Sequence, residues 1–145
     1  MLFSEARRHK VMDTATAQQV AEVDGFVVDP AAGRITALRL GKSKGPGRVL
    51  DWEGVGAFGP DAVTVSGTGA IREPADDDEA RAAGLDLPGR RVLTERGREL
   101  GAVADVEFDP ATGAVTAVLV GQTTVAGDRL IGLGSYALVV KEDAG

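Results

Sequence analysis

The decapeptide DPATGAVTAV occupies residues 109–118, and residues 29–38 read DPAAGRITAL. When the chain is shifted by 80 positions, residues 23–41 and 103–121 agree at eight of 19 positions without a gap. Weaker similarity continues on both sides of this block. The sequence therefore predicts two copies of one unit, which we call the first and the second repeat.

Each repeated block has the pattern of a strand, a turn and a second strand. In the second repeat, Ala104, Val106 and Phe108 alternate with Asp105 and Glu107, and a period of two marks a strand with one buried face. The β-branched residues after the turn predict the returning strand. We therefore expect a hairpin in each repeat, with these three apolar side chains turned inward.

The turn between the two strands is written Asp-Pro-x-x-Gly in both repeats. Proline presets φ near about −65°, an aspartate side chain can accept from nearby backbone N–H groups, and glycine tolerates a positive φ. Asp29 and Asp109 could instead form a pair of catalytic carboxylates, but turn capping is the commoner role of aspartate in such a setting. We predict that both aspartates cap turns and that Gly33 and Gly113 adopt a positive φ.

The composition excludes several kinds of site. The chain of 145 residues has no cysteine, and its aromatic content is 4%. Disulfides, thiolate metal sites and catalytic thiols are therefore excluded. No apolar run reaches the roughly 20 residues that span a bilayer, and charges appear too early at the N-terminus for a signal peptide. The sequence predicts a soluble, cytoplasmic protein.

The net charge of −6 is concentrated in one segment. Residues 73–80, EPADDDEA, hold five of the 22 acidic residues and no basic residue. Acidic side chains favour the N-terminal end of a helix, and glycine favours its C-terminal end. Asp76–Asp78 and Gly84 therefore predict a short helix in a solvated, acidic connection.

The expected fold class follows from the many short strands and the 20 glycines and six prolines between them. We predict an all-β protein with two small antiparallel β-barrels in tandem. The first repeat spans 1–72, a short acidic linker that can form a helix spans 73–84, and the second repeat spans 85–145.

Motifs that resemble known binding sites lack the context that those sites need. GVGAFG at 54–59 matches a dinucleotide-binding pattern, but Pro60 and a strand-like run follow where cofactor binding needs a helix. His9 is the only histidine and lies in a charged run, which favours a surface position. With no arrangement of nucleophile and base, we predict no catalytic, cofactor-binding or metal-binding residue, and no enzymatic activity.

The two repeats differ at positions that are expected to face outward. Val27 stands where the second repeat has Glu107, and Leu119 stands where the first repeat has Arg39. A unit of this size is marginally stable alone. We therefore hypothesise that Val27 and Leu119 form an interface, either between the repeats or with another chain. The alternative is that both are isolated apolar surface residues, which need no partner.

Two groups of basic residues could contact an anionic partner. Arg7 and Arg8 form one group, and Lys42 and Lys44 form the other. Outside the acidic segment the charges nearly balance, and few aromatic residues are present to stack on bases. Nucleic acid is therefore the less favoured partner.

The order of short motifs resembles the PRC-barrel family, known from the photosynthetic reaction-centre H subunit and a 16S rRNA-processing protein. A strand enters Asp-Pro-x-x-Gly, a β-rich strand, a loop, a Trp-containing segment and Gly-x-Asp-Ala-Val-x-Val follow, and the second repeat keeps the opening of this order. The matching residues of the first repeat are Asp29-Pro30, Gly33, Leu50-Asp51-Trp52, Val55, Phe58-Gly59 and Asp61-Ala62-Val63. In the second repeat, Leu133 is taken as the counterpart of Trp52.

The resemblance implies two PRC-type barrels with an adaptor role rather than an enzymatic one. It implies a protein partner whose identity the sequence does not give, and it is compatible with self-association. The alternative that it leaves open is a ribosome- or RNA-associated factor in assembly or processing.

Overall fold

The structure of the protein is a computed structural model that describes residues 1–142. Two sheets dominate the fold and hold nearly half of the described residues. Their short strands alternate with turns rich in glycine and aspartate. The first sheet, which we call the first barrel, contains β1 (Lys10–Asp13), β2 (Gln18–Asp29), β3 (Arg34–Gly41), β4 (Val49–Asp51), β5 (Ala57–Phe58), β6 (Ala62–Val65) and β7 (Ile71–Arg72). The second sheet, the second barrel, contains β8 (Arg91–Thr94), β9 (Glu99–Phe108), β10 (Val115–Val120), β11 (Thr123–Ala126), β12 (Leu130–Leu133) and β13 (Leu138–Val140). Two short helices, α1 (Phe3–Ala6) and α2 (Asp77–Ala83), precede the two sheets.

The strand order is the same in both sheets apart from one strand. The first sheet runs β5-β6-β1-β2-β3-β4-β7, and the second runs β12-β13-β8-β9-β10-β11. Each sheet contains one parallel pair, β1 with β6 and β8 with β13. The all-β prediction with two barrel-like units is confirmed. Strand β7 has no counterpart in the second sheet within the part of the chain that the structure describes.

The two Asp-Pro-x-x-Gly turns form as predicted. The Asp29 carboxylate accepts from the N–H of Ala31 at 3.1 Å, and the Asp109 carboxylate accepts from the N–H of Ala111 at 2.9 Å. Gly33 has a φ of 64° and Gly113 a φ of 80°. Both aspartates therefore act as turn caps.

The prediction for strand β9 is wrong at Ala104, which is exposed rather than buried. The register with β10 shifts at this point, because Leu119 pairs with Asp105 but Val120 pairs with Val103. Ala104 is the extra residue of a β-bulge, and a bulge changes the face to which later side chains point. Asp24 occupies the same place in the first barrel, since the register with β3 shifts between Val23 and Gly25.

The predicted helix in the acidic segment is α2. The Asp76 carboxylate accepts from the N–H of Glu79 at 2.8 Å, which is an N-cap, and Gly84 is the C-cap residue. The linker is anchored rather than free, because α2 packs against β2 and Glu79 is paired with Arg72. The helix therefore covers part of the first barrel.

The two barrels share one hydrophobic core. Phe3 stacks on Phe26 with 4.0 Å between ring centroids, and Phe108 of the second barrel lies 5.5 Å from Phe26 and 5.4 Å from Phe58. These rings belong to a single buried cluster that continues through both sheets. Two small units that are each marginal in size thus bury their apolar side chains together.

Candidate functional site

The turns of the two repeats exchange backbone hydrogen bonds. The N–H of Ile35 donates to the carbonyl of Gly113 at 2.8 Å, and the N–H of Val115 donates to the carbonyl of Gly33 at 2.9 Å. Ile35 corresponds to Val115, and Gly33 to Gly113, under the shift of 80 positions. The barrels are therefore related locally by a pseudo-two-fold axis, as in an isologous dimer interface.

The same symmetry corrects the predicted counterpart of Trp52. Ala37 pairs with Asp51, and Ala117 pairs with Ala126, so the next residues, Trp52 and Gly127, correspond. The prediction that Leu133 replaces Trp52 is wrong, because the loop before β11 is shorter than the loop before β4 and shifts the alignment. Each of the two corresponding residues opens a short 3-10 turn.

Both 3-10 turns lie on the glycine of the opposite Asp-Pro-x-x-Gly turn. A Cβ on Gly113 would lie 2.9 Å from the Trp52 ring, and a Cβ on Gly33 would lie 3.1 Å from the carbonyl oxygen of Gly127. The glycines thus serve two purposes: a positive φ and close approach. The contact between the two barrels at these turns, which we call the seam, depends on both properties of the glycines.

The N-terminal segment is attached to the second barrel. The Met1 ammonium donates to the carbonyl of Phe108, and the N–H of Phe108 donates to the carbonyl of Met1, both at 2.8 Å. Ser4 bonds the Asp105 carboxylate through its N–H at 3.2 Å and through its hydroxyl. Helix α1 precedes the first barrel but packs on β9, whereas α2 precedes the second barrel and packs on β2.

A cleft with a volume of about 170 Å³ lies where α1, β2 and β9 meet. Phe3 and Phe26 line its apolar part, and acidic groups and Arg7 line its polar part. Both bulge residues, Asp24 and Ala104, border it. The cleft is therefore a product of the seam, formed by residues that neither repeat supplies alone.

Arg39 fixes the acidic groups beside the cleft. Its guanidinium donates to Asp24 at 3.0 Å, to Asp86 at 2.9 Å and to the carbonyl of Ala83 at 3.1 Å. Burial opposes the charged form of Arg39, but the hydrogen bonds and charges of Asp86 and Asp24 outweigh it and raise the pKa of Arg39. Arg39 therefore ties the linker to the first barrel, and two of the carboxylates are already neutralised.

At the cleft the Ser4 hydroxyl donates to the Asp105 carboxylate, but no histidine, lysine or cysteine is among the described residues that line the cleft. His9 lies elsewhere, with its ring 5.9 Å from Phe58 and its Nε2 atom buried without a hydrogen-bond partner in that range. His9 is expected at the surface, and the structure shows it half-buried, because its ring packs beside Phe58 of the shared core. The site offers an apolar cleft, carboxylates and one exposed arginine, Arg7.

The structure brings three of the four predicted basic residues together. Arg7, Arg8 and Lys42 line one shallow depression, which Glu22 and Asp24 also line. The Lys42 ammonium lies 3.6 Å from the Glu22 carboxylate, so part of the positive charge is compensated.

The fourth basic residue, Lys44, lines a different depression, with Arg72 and Glu73. The two predicted groups therefore do not form one basic surface.

The family comparison covers the second barrel. Residues 83–145 match the sequence profile of the PRC-barrel domain. The second barrel is a PRC-barrel domain. The match begins at the last residue of α2 and covers less than half of the chain. None of the curated proteins matches the chain significantly. Within residues 1–142, no helix is long and apolar enough to cross a membrane.

The predicted interface residue Val27 lies against the linker. It lines a small cavity on the outer face of the first barrel together with Ala82 and Ala83 of α2. Arg72 and Asp51 line the same cavity. Arg72 donates to the Asp51 carboxylate at 2.9 Å, and this hydrogen bond holds the pKa of Asp51 below its ordinary value. Helix α2 and the Arg72 side chain of β7 therefore cover this outer face.

The corresponding face of the PRC-barrel domain is more open. Leu119, the other predicted interface residue, is half-buried on β10 between Asp105 of β9 and Thr124 of β11. Five residues of the first barrel are less exposed than their counterparts in the second barrel. The pairs, with the residue of the first barrel given first, are Val27 and Glu107, Thr36 and Thr116, Ala37 and Ala117, Val49 and Thr124, and Asp51 and Ala126.

Sequence reasoning missed the edge strand β11 of the PRC-barrel domain. Its residues Thr123–Ala126 carry no charge, whereas the first barrel has Asp51 on β4 and Arg72 on β7. The absence of a charged residue in a predicted edge strand was the signal that could have identified it.

Proposed function

We propose that the chain is a non-catalytic protein-interaction module built of two PRC-type barrels. The first barrel repeat would occupy 1–72, the linker 73–84 and the second repeat 85–145. PRC-barrel domains are small interaction modules, and the equal strand order of the two sheets supports the same assignment for the first repeat. The cytoplasmic location expected from the sequence stays a prediction.

One observation carries the proposal: the two barrels present corresponding faces, and only one of them is covered. In the first barrel, α2 and the Arg72 side chain of β7 lie over the face that contains Val27. In the second barrel, the face that contains Leu119 has no such cover within residues 1–142. A face that is covered in one copy and open in the other is a candidate docking surface.

Leu119→Lys is expected to weaken partner binding, because it places a charge at the centre of the open face. The measurement is affinity capture from the native cell with identification of the bound proteins, together with the melting temperature and the oligomeric state of the purified variant. We expect a reproducible protein partner for the wild type and reduced recovery for the variant.

The matched control is Leu93→Lys, which adds the same charge at a half-buried leucine of β8 in the same barrel. It should retain the partner. The interface assignment is contradicted if Leu119→Lys leaves the captured protein, the melting temperature and the oligomeric state all unchanged.

A second candidate, an RNA-associated factor, is favoured by the convergence of Arg7, Arg8 and Lys42 on one depression. Binding to RNA would depend on phosphate contacts and so would fall steeply with salt. The acidic residues Glu22 and Asp24 line the same depression and oppose an anionic ligand. The first proposal is therefore the better supported.

We expect no salt-dependent binding of the protein to a fluorescent single-stranded RNA, even at low ionic strength. The measurement is fluorescence anisotropy with the wild type and with a variant in which Arg7, Arg8, Lys42 and Lys44 are all changed to Gln. The control is Arg96→Gln, a single change at an exposed arginine of the second barrel. Binding that the fourfold variant loses and the control keeps would establish the RNA-associated alternative instead.

A further inference from the structure

Strand β11 forms an open sheet edge. Its four residues pair with β10 on one side. On the other side, none of its backbone groups is hydrogen-bonded to any residue among 1–142. Unpaired N–H and C=O groups along an edge strand are a template for another strand.

The first barrel shows what this edge accepts. Its corresponding strand, β4, carries an added antiparallel strand, β7, in which Arg72 lies opposite Val49 and Ile71 lies opposite Leu50. Since β4 and β11 hold the same place in the same strand order, the position is an acceptor for an extended strand. In the second barrel the acceptor has no strand within residues 1–142.

We infer that β11 pairs with β11 of another copy of this chain, in an antiparallel arrangement around a two-fold axis. The proposed interaction module is then a homodimer, and the inference rests on that proposed function. A strand that pairs with its own copy in this way places its central residue opposite itself. A charged centre would repel, because like charges directly opposite destabilise a strand pair.

The sequence of β11 meets this condition. Its two inner residues are Thr124 and Val125, either of which can lie opposite itself, and neither Thr123 nor Ala126 is charged. Thr124 is exposed on the outer face, whereas Val125 is fully buried in the core. Cross-strand threonine pairs and β-branched pairs are favourable. Native edges that must stay single usually carry a charge or a proline, and β11 has neither.

The pairing would also extend the open face that contains Leu119. A two-fold axis perpendicular to the sheet pairs the strands antiparallel and keeps the outer faces of both barrels on the same side. Thr124 and Leu119 lie side by side on β11 and β10, so the outer faces of the two chains would form one surface. The strand is short, and the dimer is therefore expected to be weak.

The experiment is sedimentation equilibrium of the full chain from about 10 µM to about 1 mM, the range in which contacts of small area associate. The average mass should rise from 14.9 kDa toward twice that value. Thr124→Lys should raise the dissociation constant about tenfold or more by placing like charges together, and high salt should partly restore the dimer. Thr16→Lys, an exposed threonine in the β1–β2 turn, is the matched control.

Hydrogen exchange gives an independent measurement on the same samples. The amides of Thr123–Ala126 should become more protected as the concentration rises, while the β1–β2 turn stays unchanged. A mass that stays at the monomer value, or a dimer that Thr124→Lys leaves intact, overturns the inference. Mass that grows without a limit indicates head-to-tail edge pairing and overturns it as well. A monomer that still captures a foreign protein refutes the homodimer but leaves the proposed function standing.

Discussion

Gly127→Ala is expected to destabilise the protein by about 3 kcal/mol, which lowers the melting temperature by about 10 °C for a chain of this length. A Cβ at this position would lie 1.8 Å from the carbonyl oxygen of Val115 and 2.7 Å from its carbonyl carbon. Both atoms belong to the backbone of β10, and the N–H of Val115 holds the opposite turn at Gly33. Relief of the clash must therefore move the seam. Thermal unfolding followed by circular dichroism measures the effect.

The matched control for this change is Gly132→Ala. A Cβ on Gly132 would meet no atom within 4 Å, so its melting temperature should stay close to that of the wild type. If Gly127→Ala melts at the wild-type temperature, the close approach of β10 and the 3-10 turn at Gly127 is refuted.

Phe108→Ala is expected to cost about 3–5 kcal/mol, since it removes a fully buried ring and leaves a cavity. The effect should reach both barrels, because Phe108 contacts Phe26 and Phe58 across the seam. Denaturant unfolding can be followed by the fluorescence of Trp52, the single tryptophan, and by circular dichroism of all strands. Both signals should shift together to lower denaturant concentration.

Tyr136→Ala serves as the control for loss of an aromatic ring, because 68% of Tyr136 is exposed. It should change the free energy of unfolding by no more than about 0.5 kcal/mol. The shared core would be contradicted if Phe108→Ala shifted the circular dichroism signal while the Trp52 signal unfolded at the wild-type denaturant concentration.

Features that depend on neighbouring residues were predictable from the sequence. The turn at Asp109 needs only an aspartate, a proline and a glycine in order, and its hydrogen bond to Ala111 is local. Helix α2 likewise needs only Asp76 as N-cap, acidic residues in its first turn and a glycine at its end. Such signals keep their meaning wherever the segment packs.

Features that depend on the meeting of the two repeats were not predictable. Gly127 replaces Trp52 after a loop of different length, and no side chain remains to mark the correspondence. The half-burial of Val27 comes from a helix that lies about 50 positions later in the chain. Arg7 and Lys42 line one depression only in the folded chain, and charge patterns along the sequence do not encode this.

The reciprocal turn contacts have a consequence for biosynthesis. Arg34 donates to the carbonyl of Thr112, which lies 78 positions later. At a ribosomal rate of roughly 5–20 residues per second, the earlier residue waits on the order of ten seconds for its partner. Throughout that time the nascent chain exposes aromatic side chains that only later residues bury, and such surfaces recruit chaperones and proteases. The native state is therefore reached only after most of the chain has been translated, and products that terminate within the second barrel are expected to be degraded.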